Sequence, residues 1–202
     1  MRTNAPITYV PELDATLFTR RDDIHRHEKH IEVFSSIHPD GLMTQLMGQN
    51  MMRKDGEEHM AERRAIFPAL SPRTVKDHWK PIFEATAIDL LQTLANKGKC
   101  DLFRAFAMPE SAATLRAITG LESMSNLEMD TVSQAMIDGC SNFEGKKVTK
   151  RCKKATRLID DHIKFSRENS PQQSALKVMD GAGLSDESMN ANIKLIISGG
   201  QN

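Results

Sequence analysis

The chain has 202 residues, and its 27 basic and 27 acidic side chains give a formal net charge of zero. This balance argues against nucleic acid or an anionic membrane as the main partner. No apolar run is long enough to span a bilayer, and the first ten residues lack the apolar segment of a secretion signal. The three cysteines are widely spaced and odd in number, so we expect reduced thiols in a soluble, cytoplasmic protein.

The first predicted element is a β hairpin. ITYV (7–10) and ATLFT (15–19) have the composition of strands and flank a turn-like Pro-Glu-Leu-Asp segment. A short helix is expected to follow, capped at residue 22 or 23 and running to about 33. The segment 35–52 is then predicted to be a long loop with a helical turn and an apolar face.

From residue 56 the pattern becomes helical. Asp55 can cap a helix that runs to about Leu70, and Ser71-Pro72 starts the next helix with serine as its cap. Further helices are expected at 109–118, 125–140, 146–168, 174–179 and from 185 onward. The helix that starts at Ser71-Pro72 is predicted to bury one stripe of side chains at steps of three and four: Val75, Trp79, Ile82, Thr86, Leu90 and Leu94. The predicted fold class is therefore mainly α with a small β hairpin.

His59 and Arg63 lie four residues apart in DGEEHMAERRAIFPALSPR (55–73), so both stand on one face of the predicted helix. Two such donors can bind a carboxylate, and arginine does so with a planar fork. A solvated helix face is the alternative. In that interpretation Glu57, Glu58 and Glu62 form weak surface pairs with the neighbouring arginines, Arg63 or Arg64.

The same run resembles the helix of cytochrome P-450 proteins in which an acidic residue precedes His, three further residues, Arg, a Phe and a Ser/Thr-Pro-Arg turn. In that family the His and the Arg hold the heme propionates, so the resemblance implies heme b as cofactor, held by His59 and Arg63. ATLFTRRDDI with EVFSS, CDLFRAFAMPESAATLRAITGLE and LSDESMNANIKLIISGG resemble further family segments, in the family's order. The resemblance covers about 7–202. It implies the N-terminal part of a single cytochrome P-450 domain over 1–202, incomplete because it ends within the central helix.

That central helix departs from the family pattern. The family commonly has Ala/Gly-Gly-x-acid-Thr, in which the acid and the alcohol relay protons to bound oxygen. Here Gly199 takes the glycine position beside the cofactor, Gln201 replaces the acid and Asn202 replaces the alcohol. Amides orient water but do not donate a proton as an acid does. A water-mediated relay, or one that uses residues beyond the end of the chain, is therefore expected.

The family's heme-ligand cysteine, in a Phe-rich and Gly-rich loop, and its Glu-x-x-Arg pair do not occur in this sequence. Cys100, Cys140 and Cys152 lack the surroundings of that loop. The chain is therefore expected to supply no metal ligand. Without the thiolate the iron lacks its electron-rich axial ligand, so the chain alone should be inactive.

In the family, the segment that corresponds to 36–52 forms one wall of the substrate pocket. Leu42, Met43, Leu46 and Met47 are the substrate-binding candidates, with ordinary packing beneath a long loop as the alternative. A second wall is expected around 143–149. The resemblance implies a monooxygenase that inserts one oxygen atom from O2 into a hydrophobic small molecule. Its electrons would come from a ferredoxin or a flavoprotein.

Three histidines, His25, His27 and His30, raise the possibility of a metal site. His27 and His30 share a helical face, but His25 does not share it well. Arg26 and Lys29 lie among them and would repel a cation. Solvated surface is therefore the prediction, since closed metal sites need convergent ligands.

A basic run from Lys146 to Lys154 could suggest binding of nucleic acid, but it lacks interleaved aromatic residues, and a solvated helix start is predicted. Arg63, Arg64 and Arg73 could help to dock an acidic electron donor. The alternative to an enzyme is a non-catalytic helical interaction or regulatory domain that binds no heme.

Overall fold

The computed structural model describes residues 4–95, 97–141 and 145–200, and most of them are helical. Contacts between residues divide the chain into two units, Met1–Ile37 and His38–Asn202. The prediction of a mainly α chain with a small β hairpin is confirmed. The strands and α-helices are β1 (Ile7–Val10), β2 (Ala15–Phe18), α1 (Arg21–His27), α2 (Leu42–Met47), α3 (Gly56–Leu70), α4 (Pro72–Thr74), α5 (Lys80–Leu94), α6 (Met108–Thr119), α7 (Asn126–Cys140), α8 (Lys146–Ser166), α9 (Ala175–Gly181) and α10 (Asp186–Gly200).

The first unit contains the hairpin and α1. β1 and β2 pair in antiparallel orientation, with Ile7 opposite Phe18. The turn between them ends at Asp14, whose backbone is left-handed (φ 46°) and whose carboxylate accepts a 2.7 Å hydrogen bond from the Tyr9 hydroxyl. α1 ends at His27 and is therefore shorter than the helix to about 33 that the sequence predicts.

Side-chain caps and prolines start the helices of the second unit. The Ser71 hydroxyl accepts a hydrogen bond from the backbone N–H of Thr74 at 3.1 Å, and Pro72 is the first residue of α4. Ser125 caps α7 in a capping box, because its hydroxyl accepts from the Glu128 backbone N–H while the Glu128 carboxylate accepts from the Ser125 N–H. Both helix starts agree with the sequence signals.

The core of the second unit is formed chiefly by α2, α3 and α6 to α10. Methionine is unbranched and polarisable, so it fills the irregular gaps between helices that cross at different angles. This explains how a chain with few aromatic residues closes its interior. Six methionines are at most 1% exposed: Met47, Met124, Met129, Met136, Met179 and Met189.

Helices α7 and α8 approach each other closely at Gly139. A Cβ atom at this position would lie 2.5 Å from the Cβ and 2.6 Å from the Sγ of Cys152, which is fully buried. Real Cβ atoms do not come this close to another side chain. The missing side chain of Gly139 is therefore what allows the two helices to touch.

The stripe predicted for the helix after Ser71 is fully buried only at Trp79, and three further positions are half-buried: Thr86, Leu90 and Leu94. Trp79 is 2% exposed, and its Nε1–H donates to the Ala69 carbonyl at 2.7 Å. Val75 and Ile82 are 44% and 38% exposed, and α5 buries none of its residues. The spacing predicted a shared face correctly, but a shared face does not establish that another element packs against it.

The longest helix, α8, is strongly amphipathic. It buries Val148, Cys152 and Ile159 and exposes mostly basic and polar side chains on the other side. Within 4–95, 97–141 and 145–200, no helix is long and apolar enough to cross a membrane.

Candidate functional site

α3 carries the two residues that the sequence identifies as cofactor-binding candidates. The helix begins at Gly56, after Asp55 in extended backbone, and runs for 15 residues. His59 lies in its second turn and Arg63 one turn later, so the two side chains share a face. The predicted arrangement of two donors along one helical face is therefore present.

The His59 ring is held by the backbone of the segment that precedes α3. Its Nδ1 atom lies 2.8 Å from the Met51 carbonyl oxygen, and the ring is half-buried. Because a carbonyl oxygen only accepts, Nδ1 carries the hydrogen in this contact. The other ring nitrogen, Nε2, is left for a second partner, and it can donate a hydrogen bond when the ring is protonated.

The Arg63 guanidinium is exposed, and none of the other described residues forms an ion pair with it. The adjacent Arg64 differs, because it pairs with Glu57 as the sequence predicts. The surface pair predicted for Glu62 is wrong: this carboxylate is 6% exposed and binds Lys54 at 2.6 Å. Arg63 is therefore available to an anion from outside the chain.

The two oxygen-side candidates, Gln201 and Asn202, lie outside the described residues. The glycine candidate, Gly199, lies in the last turn of α10. Gly199 is exposed, and a Cβ at its position would meet no atom within 4 Å. Its position beside the cofactor therefore stays a prediction. The following Gly200 lies close to α6, because a Cβ there would lie 2.5 Å from Cδ2 of Leu115.

The four substrate-binding candidates lie on α2 and differ in exposure. Leu46 and Met47 are 7% and 1% exposed and belong to the core. Met43 packs against that core and is partly buried, whereas Leu42 is 36% exposed. The structure thus brings all four onto one short helix, and their contact with a substrate stays a prediction. Of the second predicted wall, residues 143 and 144 lie outside the described residues.

The basic run lies on the first half of α8, beside an open surface cavity of about 1110 Å³. Arg151 pairs with Asp138 of α7. The absence of interleaved aromatic residues, on which bases could stack, still argues against nucleic acid. The basic residues that line the cavity are Lys146, Lys147, Lys150, Arg151, Lys153, Lys154 and Arg157.

The three N-terminal histidines have partners within the first unit. His25 and His30 place Nδ1 at 2.9 Å from Glu28 and 3.3 Å from Glu32. The His27 ring packs against two phenylalanine rings and lies 6.3 Å from the His30 ring, between centroids. Among the described residues, no group of three or more His, Cys, Asp or Glu side chains could hold a metal ion.

The three cysteines are free thiols with different surroundings. Cys100 is exposed and Cys140 is half-buried. Cys152 is fully buried, and this burial, together with the neighbouring Cys140, raises the pKa of its thiol to about 11. A thiolate at Cys152 is therefore strongly disfavoured at neutral pH.

Comparison with known proteins gives one consistent picture at low identity. No family model matches the chain. The curated protein YjiB of Bacillus subtilis (strain 168), described as a cytochrome P450, is 22% identical over 185 residues. That alignment covers 89% of this chain and 46% of YjiB. The chain therefore spans about half the length of the curated relative.

Solved structures of bacterial cytochromes P450 match nearly the whole chain. Epothilone B-bound P450epoK superposes with a TM-score of 0.76 at 17% identity, over 97% of this chain and 54% of that one. CYP109B1 from Bacillus subtilis gives 0.74 at 20% identity, over 100% and 54%. P450BioI, in complex with an acyl carrier protein, gives 0.75 at 18% identity, over 99% and 55%. The chain has the cytochrome P450 fold, over about half of that fold's length.

Proposed function

We propose that this chain is the N-terminal part of a single-domain heme-thiolate monooxygenase that inserts one oxygen atom from O2 into a hydrophobic small molecule. The observation that carries the proposal is the pair of donors on α3, His59 and Arg63, within a cytochrome P450 fold. The partial coverage of YjiB supports a longer complete protein. The activity is proposed for that protein, and the chain alone is expected to be inactive.

The donors on α3 fit the carboxylates of heme b. The heme propionates are two anions on one edge of the macrocycle, and His59 and Arg63 lie one helical turn apart. Arg63 has no competing carboxylate among the described residues, and the His59 ring keeps Nε2 for an external partner. Bound heme would supply the iron at which O2 is activated. His59 and Arg63 would bind and orient it.

None of the three cysteines is suited to be the axial ligand of that iron. Cys152 is fully buried between α7 and α8, with a pKa near 11. Cys140, at the end of α7, is half-buried, and burial also raises the pKa of its thiol. Cys100 is exposed and directly follows Lys97-Gly98-Lys99. We therefore propose that the thiolate ligand lies outside these 202 residues.

The proposed partners are an apolar substrate and a ferredoxin or flavoprotein that supplies electrons. Neighbouring structures are described with epothilone B, with testosterone and with a hexadecenoic acid carried by an acyl carrier protein. These compounds share a large apolar surface, which supports the substrate class. Of the three arginines predicted to dock the donor, Arg64 and Arg73 have carboxylate partners in the chain, Glu57 and Asp77. Because Arg63 is assigned to the heme propionates, Arg64 and Arg73, whose ion pairs are both exposed, are the two arginines left to contact an acidic donor.

A hemin titration of the 202-residue chain tests the cofactor site. Trp79 is the only tryptophan, so quenching of its fluorescence reports binding together with the absorption of bound hemin. Each hydrogen bond to a charged group contributes about 1.5–3 kcal/mol, so the double variant His59→Ala/Arg63→Ala should bind at least about tenfold more weakly. Arg64→Ala is the matched control, because Arg64 follows Arg63 directly and already pairs with Glu57.

The result expected is loss of affinity in the double variant and unchanged affinity in Arg64→Ala. Equal hemin affinity of the double variant and the wild type would contradict the assignment of His59 and Arg63. Failure of the wild-type chain to bind hemin would also count against it.

A further inference from the structure

A cluster of polar groups joins α3, α10 and the segment 50–54. The Glu62 carboxylate accepts hydrogen bonds from Lys54 Nζ at 2.6 Å and from Asn192 Nδ2 at 2.8 Å. The Asn192 side chain also accepts from the Met51 backbone N–H at 3.0 Å. Glu62 is 6% and Asn192 1% exposed. The cluster therefore connects the central helix, through a side chain, to the backbone at Met51.

The cluster ends at the ring of His59. The Met51 carbonyl accepts from His59 Nδ1 at 2.8 Å and from the Lys54 backbone N–H at 3.3 Å. The next peptide N–H, of Met52, donates to the side chain of the fully buried Asn50 at 3.1 Å. The peptide groups on both sides of Met51 are thus fixed by side chains, and His59 binds the carbonyl that they orient.

A charged group at position 62 is not explained by stability. Glu62 shares the buried face of α3 with Ala65, Ile66 and Ala69, which are all apolar. Burial alone would raise the pKa of Glu62, but the hydrogen bonds from Asn192, Lys54 and Ser188 together hold it below its ordinary value. Replacement of a buried ion pair by well-packed apolar residues is often neutral or stabilising. What the polar cluster provides instead is a fixed geometry.

We propose that Glu62, Lys54 and Asn192 are positioning residues, which orient the Met51 carbonyl and thereby fix the ring of His59 with its hydrogen on Nδ1. With Nδ1 donating to Met51, Nε2 is the nitrogen that meets an external carboxylate, and it donates to that carboxylate when the ring is protonated. The step from the ring to a heme propionate rests on the proposed function. The step from the cluster to the ring does not, so the two can be tested separately.

Three variants of the 202-residue chain separate positioning from simple loss of packing. Asn192→Asp places a second carboxylate against Glu62, and the repulsion should release Met51. The double variant Glu62→Gln/Asn192→Asp exchanges the amide and the carboxylate, which restores a donor opposite an acceptor. The control Ser133→Ala removes another buried hydrogen bond to α10, from Ser133 to the Ile197 carbonyl at 3.0 Å, without touching the cluster.

The readout is the nitrogen-15 spectrum of labelled histidine, with the His59 signals assigned by their loss in His59→Gln. The wild type should show the hydrogen on Nδ1. Asn192→Asp should shift the His59 signals toward the other tautomer, and the exchanged double variant should return them. Ser133→Ala should leave them in place even where it lowers the melting temperature. If Asn192→Asp does not fold, Glu62→Gln alone gives the same comparison. The new amide at position 62 would place its N–H groups against Nδ2 of Asn192, so that two donors face each other.

Unchanged His59 signals in folded Asn192→Asp or Glu62→Gln would overturn the proposal, as would equal shifts in Ser133→Ala. Failure of the exchanged double variant to restore the signals would also overturn it. A hemin titration of the same variants then tests the link to the cofactor. The affinity for hemin should fall about tenfold in the variants whose His59 signals shift, and it should recover in the double variant that restores those signals. If the ring responds while His59→Ala/Arg63→Ala binds hemin normally, the positioning stands and the proposed cofactor site is wrong.

Discussion

Substitution of Gly139 by alanine should separate α7 from α8. The new methyl group would lie 2.5 Å from the Cβ of Cys152 and 3.3 Å from Cδ1 of Leu46. Insertion of a methyl group into a well-packed core costs about 1–3 kcal/mol, against a gain of about 1 kcal/mol in helix propensity. Gly181→Ala is the matched control, because a Cβ there meets no atom within 4 Å.

Relative to Gly181→Ala, Gly139→Ala should therefore be less stable by about 1–3 kcal/mol. For a chain of this size, this corresponds to a melting temperature about 2–12 °C lower, measured by circular dichroism. The double variant Gly139→Ala/Cys152→Gly removes the Cβ and Sγ atoms that the new methyl group would meet and should recover part of the loss. Equal melting temperatures for Gly139→Ala and Gly181→Ala would refute the conclusion that contact between the two helices requires glycine.

Three further predictions concern single side chains. Cys100 is exposed and should react with a thiol reagent at once in the native chain. Cys152 is buried, with a pKa near 11, and should react only at the rate of unfolding. Equal rates for the two thiols would contradict the burial of Cys152. Glu62 has a lowered pKa, so its contribution to stability is complete above its ordinary pKa and is lost as the pH falls through the lowered value. In urea titrations the stability difference between wild type and Glu62→Gln should therefore be constant from neutral pH to about pH 5 and should shrink below the ordinary carboxyl pKa of about 4.3. A difference that stays constant below that pH would contradict this. Trp79→Phe leaves the Ala69 carbonyl without its buried donor and should destabilise the chain by about 1–3 kcal/mol, with no change in melting temperature as the contrary result.

The parts of the fold that are encoded locally could be predicted from the sequence. Asp55 and Ser71 occupy the cap positions expected of them, and the two strands flank the turn that their composition indicates. The burial of α5 could not be predicted in the same way. Its stripe has the period of a helical face, but whether another element covers Ile82 depends on residues far away in the sequence. The 3.6-residue period carries no information about those residues.

In the candidate site, too, local spacing could be predicted and long-range contacts could not. That His59 and Arg63 share a face follows from their spacing alone. That His59 binds the Met51 carbonyl requires the path of the chain before α3, and that Asn192 binds Met51 requires a contact across 141 residues. Apolar candidates carry even less local information, because a leucine such as Leu46 has the same signature in a pocket wall as in a core.

One local signal for the cluster was nevertheless present in the sequence. Positions 62, 65, 66 and 69 follow the spacing of a buried helical face, and three of them hold Ala65, Ile66 and Ala69. Glu62 breaks that pattern, and the surface pair expected from its charge is wrong because position 62 belongs to the buried face, where Glu62 binds Lys54. A carboxylate on an otherwise apolar face must find buried donors or destabilise the fold, so it predicts hydrogen-bond donors from elsewhere in the chain. Lys54 and Asn192 are those donors, and the Met51 backbone beside them is the one that His59 binds.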